Sequence, residues 1–257
     1  MMKRFVVSVL LLTSAILAQN ENVVNADEVY EDPLHRMHLK DGSFSLFTGT
    51  VESRYADGSL KSRRHYIDGI AEGEMLEWHK NGKKKYRAVY HDGKEDGTVE
   101  KWYSNGQKKC EIGYRNGKRE GETRFWYKSG EKMLSYRFQN GKYHGKNIAW
   151  FKNGKPKAIS YYDHGNKEGE HTVFNDAGSI LERTHYRQGK LHGRYEAWYD
   201  NGQKKLDRHY QNGVLDGREC VWYKNGKLQH AVTFRKGERV VGGIYGDGNC
   251  SIVKTER

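Results

Sequence analysis

The chain is short of the residues that build a thick core. Leu, Ile, Val and Phe supply 48 of its 257 residues, below the roughly one-fifth under which a strongly charged chain is usually disordered. Its formal net charge is +12. Proline is nearly absent, with two residues, while Trp, Tyr and Phe reach 12%. Disordered chains run the other way, rich in proline and poor in aromatics, so the composition describes a folded chain whose apolar surface is mostly aromatic. Cysteine is scarce and odd in number, at three, which excludes a scaffold stapled throughout by disulfides. No G-x-S-x-G, H-E-x-x-H or C-x-x-C sequence occurs, so the common nucleophile and metal-hydrolase motifs are missing. The expectation is a protein that is not an enzyme and uses no cofactor.

Long apolar runs are missing too, apart from the first residues. Basic Met1–Arg4 precedes an uninterrupted apolar run over 5–17, and then the polar AQNENVVNA. That run is shorter than the roughly 20 residues of a membrane span and has the anatomy of an export signal. Val24-Asn25-Ala26 fits the small-residue rule, placing cleavage after Ala26 with Ala18 as the other candidate. No cysteine stands just after the run, which argues against a lipid-anchored precursor. The chain is therefore expected to be exported, whether periplasmic, cell-surface or secreted.

What the sequence has in plenty is glycine, in register. Gly58, Gly82, Gly106, Gly130, Gly154, Gly178, Gly202 and Gly226 follow one another at a single constant step. A second series runs from Gly69 to Gly237 and a third from Gly49 to Gly217 with the same step, as do Trp78, Trp102, Trp126, Trp150, Phe174, Trp198 and Trp222. "WYSNGQKK" at 102–109 returns as "WYDNGQKK" at 198–205, four periods on. Unbroken self-similarity of this kind marks an array of identical units. Within a unit, Asn-Gly and Asp-Gly favour the tight turns of antiparallel hairpins, and three glycines leave no room for a helix of two turns. The fold class is thus all-β: an elongated single-layer antiparallel meander of about sixteen strands. Residues 1–26 form the signal peptide, 27–48 an N-terminal cap, 49–237 the array and 238–257 a C-terminal cap or tail.

A turn centred near residue 71 would place Tyr66 and Trp78 on one face, so two aromatic rows are expected there: the tryptophans, and Tyr66, Tyr90, Tyr114, Phe138, Tyr162, Tyr186, Tyr210 and Phe234. Tyr103, Tyr127, Phe151, Tyr199 and Tyr223 would occupy the other face. Cys110 and Cys220, nine strand steps and about 43 Å apart at 4.8 Å per step, are expected to be unpaired within one chain.

The pattern Tyr-x-[Asn/Asp]-Gly-Lys-x-x-Gly-x-x-x-x-Trp-Tyr-x-Asn-Gly-x-Lys-Lys resembles the bacterial variant of the MORN (membrane occupation and recognition nexus) repeat, from Gly49 to Gly237. The resemblance implies a single-layer sheet serving as a scaffold for protein contacts, with lipid binding in some members. Relatives are often labelled as antitoxins of toxin–antitoxin pairs, so it also implies an antitoxin or immunity-type alternative in which the chain neutralises a toxin by direct binding.

Two sets of side chains are candidates for a binding surface. Lys83, Lys84, Lys85, Lys108, Lys109, Lys204 and Lys205 follow the short turns and would make a positive stripe. Trp78, Trp102, Trp126, Trp150, Trp198 and Trp222 would offer aromatic faces on a regular pitch. The partners they suit are a protein or an anionic envelope surface, lipid or glycan; nucleic acid and small-molecule substrates are not expected. His144 and His192, two units apart, are too distant to share an ion, so no metal site is expected.

Overall fold

The computed structural model describes residues 22–43, 45–240 and 250. The expected export signal up to residue 21, and the tail beyond Val240 apart from Cys250, lie outside these residues. Counting strands interrupted only at one residue as one, sixteen strands run from Gly49–Arg54 to Leu228–Arg235, each antiparallel to the next in sequence. Among the described residues the only helical element is the short 3₁₀ turn Ala26–Glu28. Glu238–Val240 pairs with the last of the sixteen strands. At the other end Val23–Asn25 adds in parallel to Gly49–Arg54. Of the two expected cleavage positions, the one after Ala18 would keep that strand and the one after Ala26 would remove it.

The two turn types differ in build. At Asp68-Gly69, and again in each later unit, both turn residues have positive φ, as in Asn116 (49°) and Gly117 (73°). This is the two-residue turn whose twist matches its strands. The return strand therefore begins at once, at Ile70 or Lys94, and the third glycine series lies inside it. Those glycines are bulges, Gly121 having φ 73°. Each sits directly opposite a member of the Tyr66 row: Gly49–Tyr66, Gly73–Tyr90, Gly97–Tyr114 and so on to Gly217–Phe234. The ring faces a stretch of backbone that has no side chain of its own, a known device for bridging a glycine in a sheet.

This register corrects the expected placement of the aromatic rows. Ile67 pairs with Ile70 and Tyr66 with Ala71, so the hairpin centre lies between residues 68 and 69 rather than near 71, and face parity reverses. Trp102 stands at an odd step beyond Gly97, the partner of Tyr114, and side chains alternate along a strand. The Tyr66 row and the tryptophans consequently occupy opposite faces, at opposite ends of each hairpin.

The tyrosine face is the core. Ala88 and Thr123 are fully buried and Val99, Cys110 and Ile112 nearly so, with Tyr86, Tyr90, Tyr114 and Phe125 packed beside them. Rings also meet along the stack, with Phe138, Tyr143 and Tyr162 spaced at 4.6 and 5.2 Å. The N-terminal cap closes the first unit: Val29, Met37 and Phe47 pack with Val51 and Tyr66. At the other end Cys220 is bonded to Cys250, with Cα atoms 6.1 Å apart, and Cys110 is free and buried. Cys110 and Cys220 are thus not linked to each other. The expectation that both are unpaired fails for Cys220, because Cys250, beyond the array where the period gives no position, reaches it; the odd cysteine is Cys110. Burial pushes the Cys110 thiol pKa up, which keeps it unreactive.

Candidate functional site

The duplicated "WY[S/D]NGQKK" segments build two copies of one local structure on the tryptophan face. Register sets Glu100 opposite Glu111, and Glu196 opposite Asp207. Like charges directly opposed across a sheet destabilise it. Lys108 resolves the first clash by bonding Glu100 Oε1 at 2.7 Å and also reaching Glu111. Lys204 does the same for Glu196 at 2.7 Å and Asp207 at 3.3 Å. The ammonium groups also lie 5.9 and 5.8 Å from the Trp102 and Trp198 ring centres, within cation–π range. Partial burial would push the Glu100 and Asp207 pKa values up, but Lys108 beside the first and Arg194 beside the second hold both below their ordinary values.

The remaining letters tie one unit to the next. Tyr103 Oη donates to the Trp126 carbonyl and Tyr199 Oη to that of Trp222, at 3.0 and 2.9 Å. Tyr55 and Tyr127 make the same bond to Trp78 and Trp150. Asn105 and Asn201 donate to the Lys128 and Lys224 carbonyls of the following turns. At the opposite end of the hairpins the turn glycines donate their N–H to the unit before, as Gly117 does to Glu95. The recurrent Tyr, Asn and Gly letters are therefore spent on contacts within the array.

The candidate lysines fall into two groups. Lys83 donates to the Asn105 carbonyl at 2.7 Å and Lys85 pairs with Glu77 at 2.9 Å; together with Lys108 and Lys204 they are engaged by the sheet itself. Lys84, Lys109 and Lys205 are exposed, the last two poised 5.7 and 5.6 Å from the Tyr103 and Tyr199 ring centres. Of the tryptophans, Trp78, Trp102, Trp126, Trp150 and Trp198 are half-buried and Trp222 is buried. The structure thus brings Lys109 to the Tyr103 ring and Lys205 to the Tyr199 ring, while Trp102 and Trp198 carry Lys108 and Lys204, one such set per duplicated segment. Sequence reading missed the acid pairs, although two acids placed as Glu100 and Glu111 are face each other once the turn centre is known.

The model of the MORN repeat variant matches residues 47–68, 71–92, 95–116, 191–212 and 215–236. No curated protein matches the chain. The units between Lys118 and Lys190 keep the same register, with Gly121 opposite Phe138, Gly145 opposite Tyr162 and Gly169 opposite Tyr186, so the matched and unmatched units form one continuous sheet. The chain is a repeat protein of the MORN variant type.

Proposed function

We propose that the chain is an exported, non-catalytic scaffold that holds an anionic envelope surface, or a protein of similar charge, against its tryptophan face. The observation that carries this reading is a recurrence at one end of the hairpins. A lysine is paired with or set over the tryptophan in three units, Lys84 with Trp78, Lys108 with Trp102 and Lys204 with Trp198, and exposed Lys109 and Lys205 lie over the adjoining Tyr103 and Tyr199. MORN repeats act as scaffolds for protein or lipid contacts, which agrees with an open surface of this kind. The Cys220–Cys250 bond supports export, since structural disulfides persist in oxidising compartments.

The test is co-sedimentation of the mature protein with phosphatidylglycerol-containing vesicles across a salt series. Binding is expected at low ionic strength and release as the Debye length falls below about 8 Å above physiological salt. Replacing Lys84, Lys109 and Lys205 with Gln should weaken binding about 100-fold, at roughly 1 kcal/mol per lysine near an anionic surface, with the circular dichroism unchanged. Equal retention of the variant and the wild type would reduce these lysines to solubilising groups.

A further inference from the structure

We propose that His144, Asp163 and His164 form a binding site for one divalent transition-metal ion, with Zn²⁺ as the probe. One donor atom from each residue lies within 4.8 Å of the other two. His164 Nδ1 is 2.8 Å and His144 Nδ1 3.3 Å from the same oxygen, Asp163 Oδ1, and the imidazoles stand edge to face with centres 5.5 Å apart.

The repeat explains how residues from neighbouring hairpins meet, and why this unit is unlike the others. The position before the bulge glycine lies beside the two-residue turn of the next hairpin. Where it is glutamate it caps that turn: Glu72 accepts from the Asp92 amide at 3.0 Å, and Glu120 and Glu168 from Asn140 and Gln188 at 2.7 Å. His192 faces the Asn212 amide in the same way, at 3.4 Å. His144 instead turns its Nδ1 to Asp163, and that buried nitrogen makes no hydrogen bond among the described residues. Asp163 ends the strand Pro156–Asp163, and His164 takes the left-handed turn position at φ 47°, where asparagine or aspartate stands in several other units. Two histidines replacing a capping acid and a turn former, around one carboxylate, leave an orphaned nitrogen whose natural partner is a cation.

Two imidazoles and a carboxylate are the donors that suit Zn²⁺ and its neighbours, with water completing the shell. Hard ions such as Ca²⁺ and Mg²⁺ prefer six or more oxygens. The comparable group Glu72, His91 and Asp92 has a single imidazole, and its Glu72 is engaged by both the His91 ring and the Asp92 amide.

Calorimetric titration of the tag-free, chelator-stripped protein with Zn²⁺ under non-reducing conditions tests the site. One equivalent should bind and raise the Tm, while Ca²⁺ and Mg²⁺ should not. His144→Ala and His164→Asn should each weaken Zn²⁺ affinity by more than the roughly 10–100-fold that loss of an outer-shell partner costs; His91→Ala should leave it unchanged. Asparagine suits the left-handed turn position, so His164→Asn should remove the ligand without unfolding the hairpin. No binding at 100-micromolar order, or binding that survives both substitutions or disappears with His91→Ala, would overturn the assignment.

Discussion

Phe47→Ala is expected to release the N-terminal end of the sheet at a cost of about 3–5 kcal/mol, the range for truncating a buried aromatic. Phe47 is 1% exposed and packs with Val29, Met37, Val51 and Tyr66. Its main chain also joins the cap to the array, the N–H donating to Met37 and the carbonyl accepting from Gly69. In a linear array each unit contacts only its neighbours, so the loss should be local. Hydrogen exchange should show the amides of Leu60–Ile67 losing protection while those of Lys204–Gln211 keep it. Uniform loss along the chain, or no loss at all, would contradict a sheet stabilised unit by unit.

Gly113→Val should act in the middle of the array and break it in two. Gly113 lies in the strand Lys108–Arg115, where the neighbouring strand is irregular: Ile112 pairs with Thr123 but Tyr114 with Arg119. A Cβ built on Gly113 would collide with the Glu120 carbonyl, and a backbone group cannot swing aside as a side chain does. Overpacking typically costs about 1–3 kcal/mol; against an immovable carbonyl, a cost on the order of 3 kcal/mol or more is expected. Thermal unfolding should change from one transition to two, the segments on either side of residue 113 melting separately. A Tm within a few degrees of wild type and a single transition would show that the bulge relaxes freely.

These two residues mark what could and could not be read beforehand. The period, the Asn-Gly and Asp-Gly turns, the sixteen strands and the absence of long helices between Gly49 and Gly237 were legible because turn chemistry is local. The assignment of faces was not, since it depends on whether a turn holds two residues or more, and a shift of one residue in the hairpin centre reverses every side chain. The role of the third glycine series was not legible for the same reason; its pairing with the Tyr66 row shows it to be a set of bulges. Gly113 belongs to none of the three series; His65, His185 and His209 stand at the same register shift in other units, and what marks Gly113 is the local approach of the Glu120 carbonyl.

The candidate surface was half legible. Its lysines and tryptophans could be enumerated, but Lys108 and Lys204 are held by opposed acids, and those acids meet only through cross-strand register. Likewise the separation of His144 from His164 is neither one period nor a recognised ligand spacing, and the turn alone brings them together. The Cys220–Cys250 bond joins the array to a residue beyond it, where the period no longer indicates position.

All six tryptophans, Trp78, Trp102, Trp126, Trp150, Trp198 and Trp222, lie on the face opposite the core by strand alternation. Their fluorescence therefore reports on the proposed binding face in the unaltered protein. The most direct measurement is tryptophan emission on titration with anionic vesicles carrying a nitroxide-labelled headgroup. The account predicts quenching at low salt that reverses as salt rises, and little quenching by neutral vesicles. Vesicle binding with unchanged tryptophan emission, or quenching that high salt does not reverse, would contradict a lysine-guided tryptophan face.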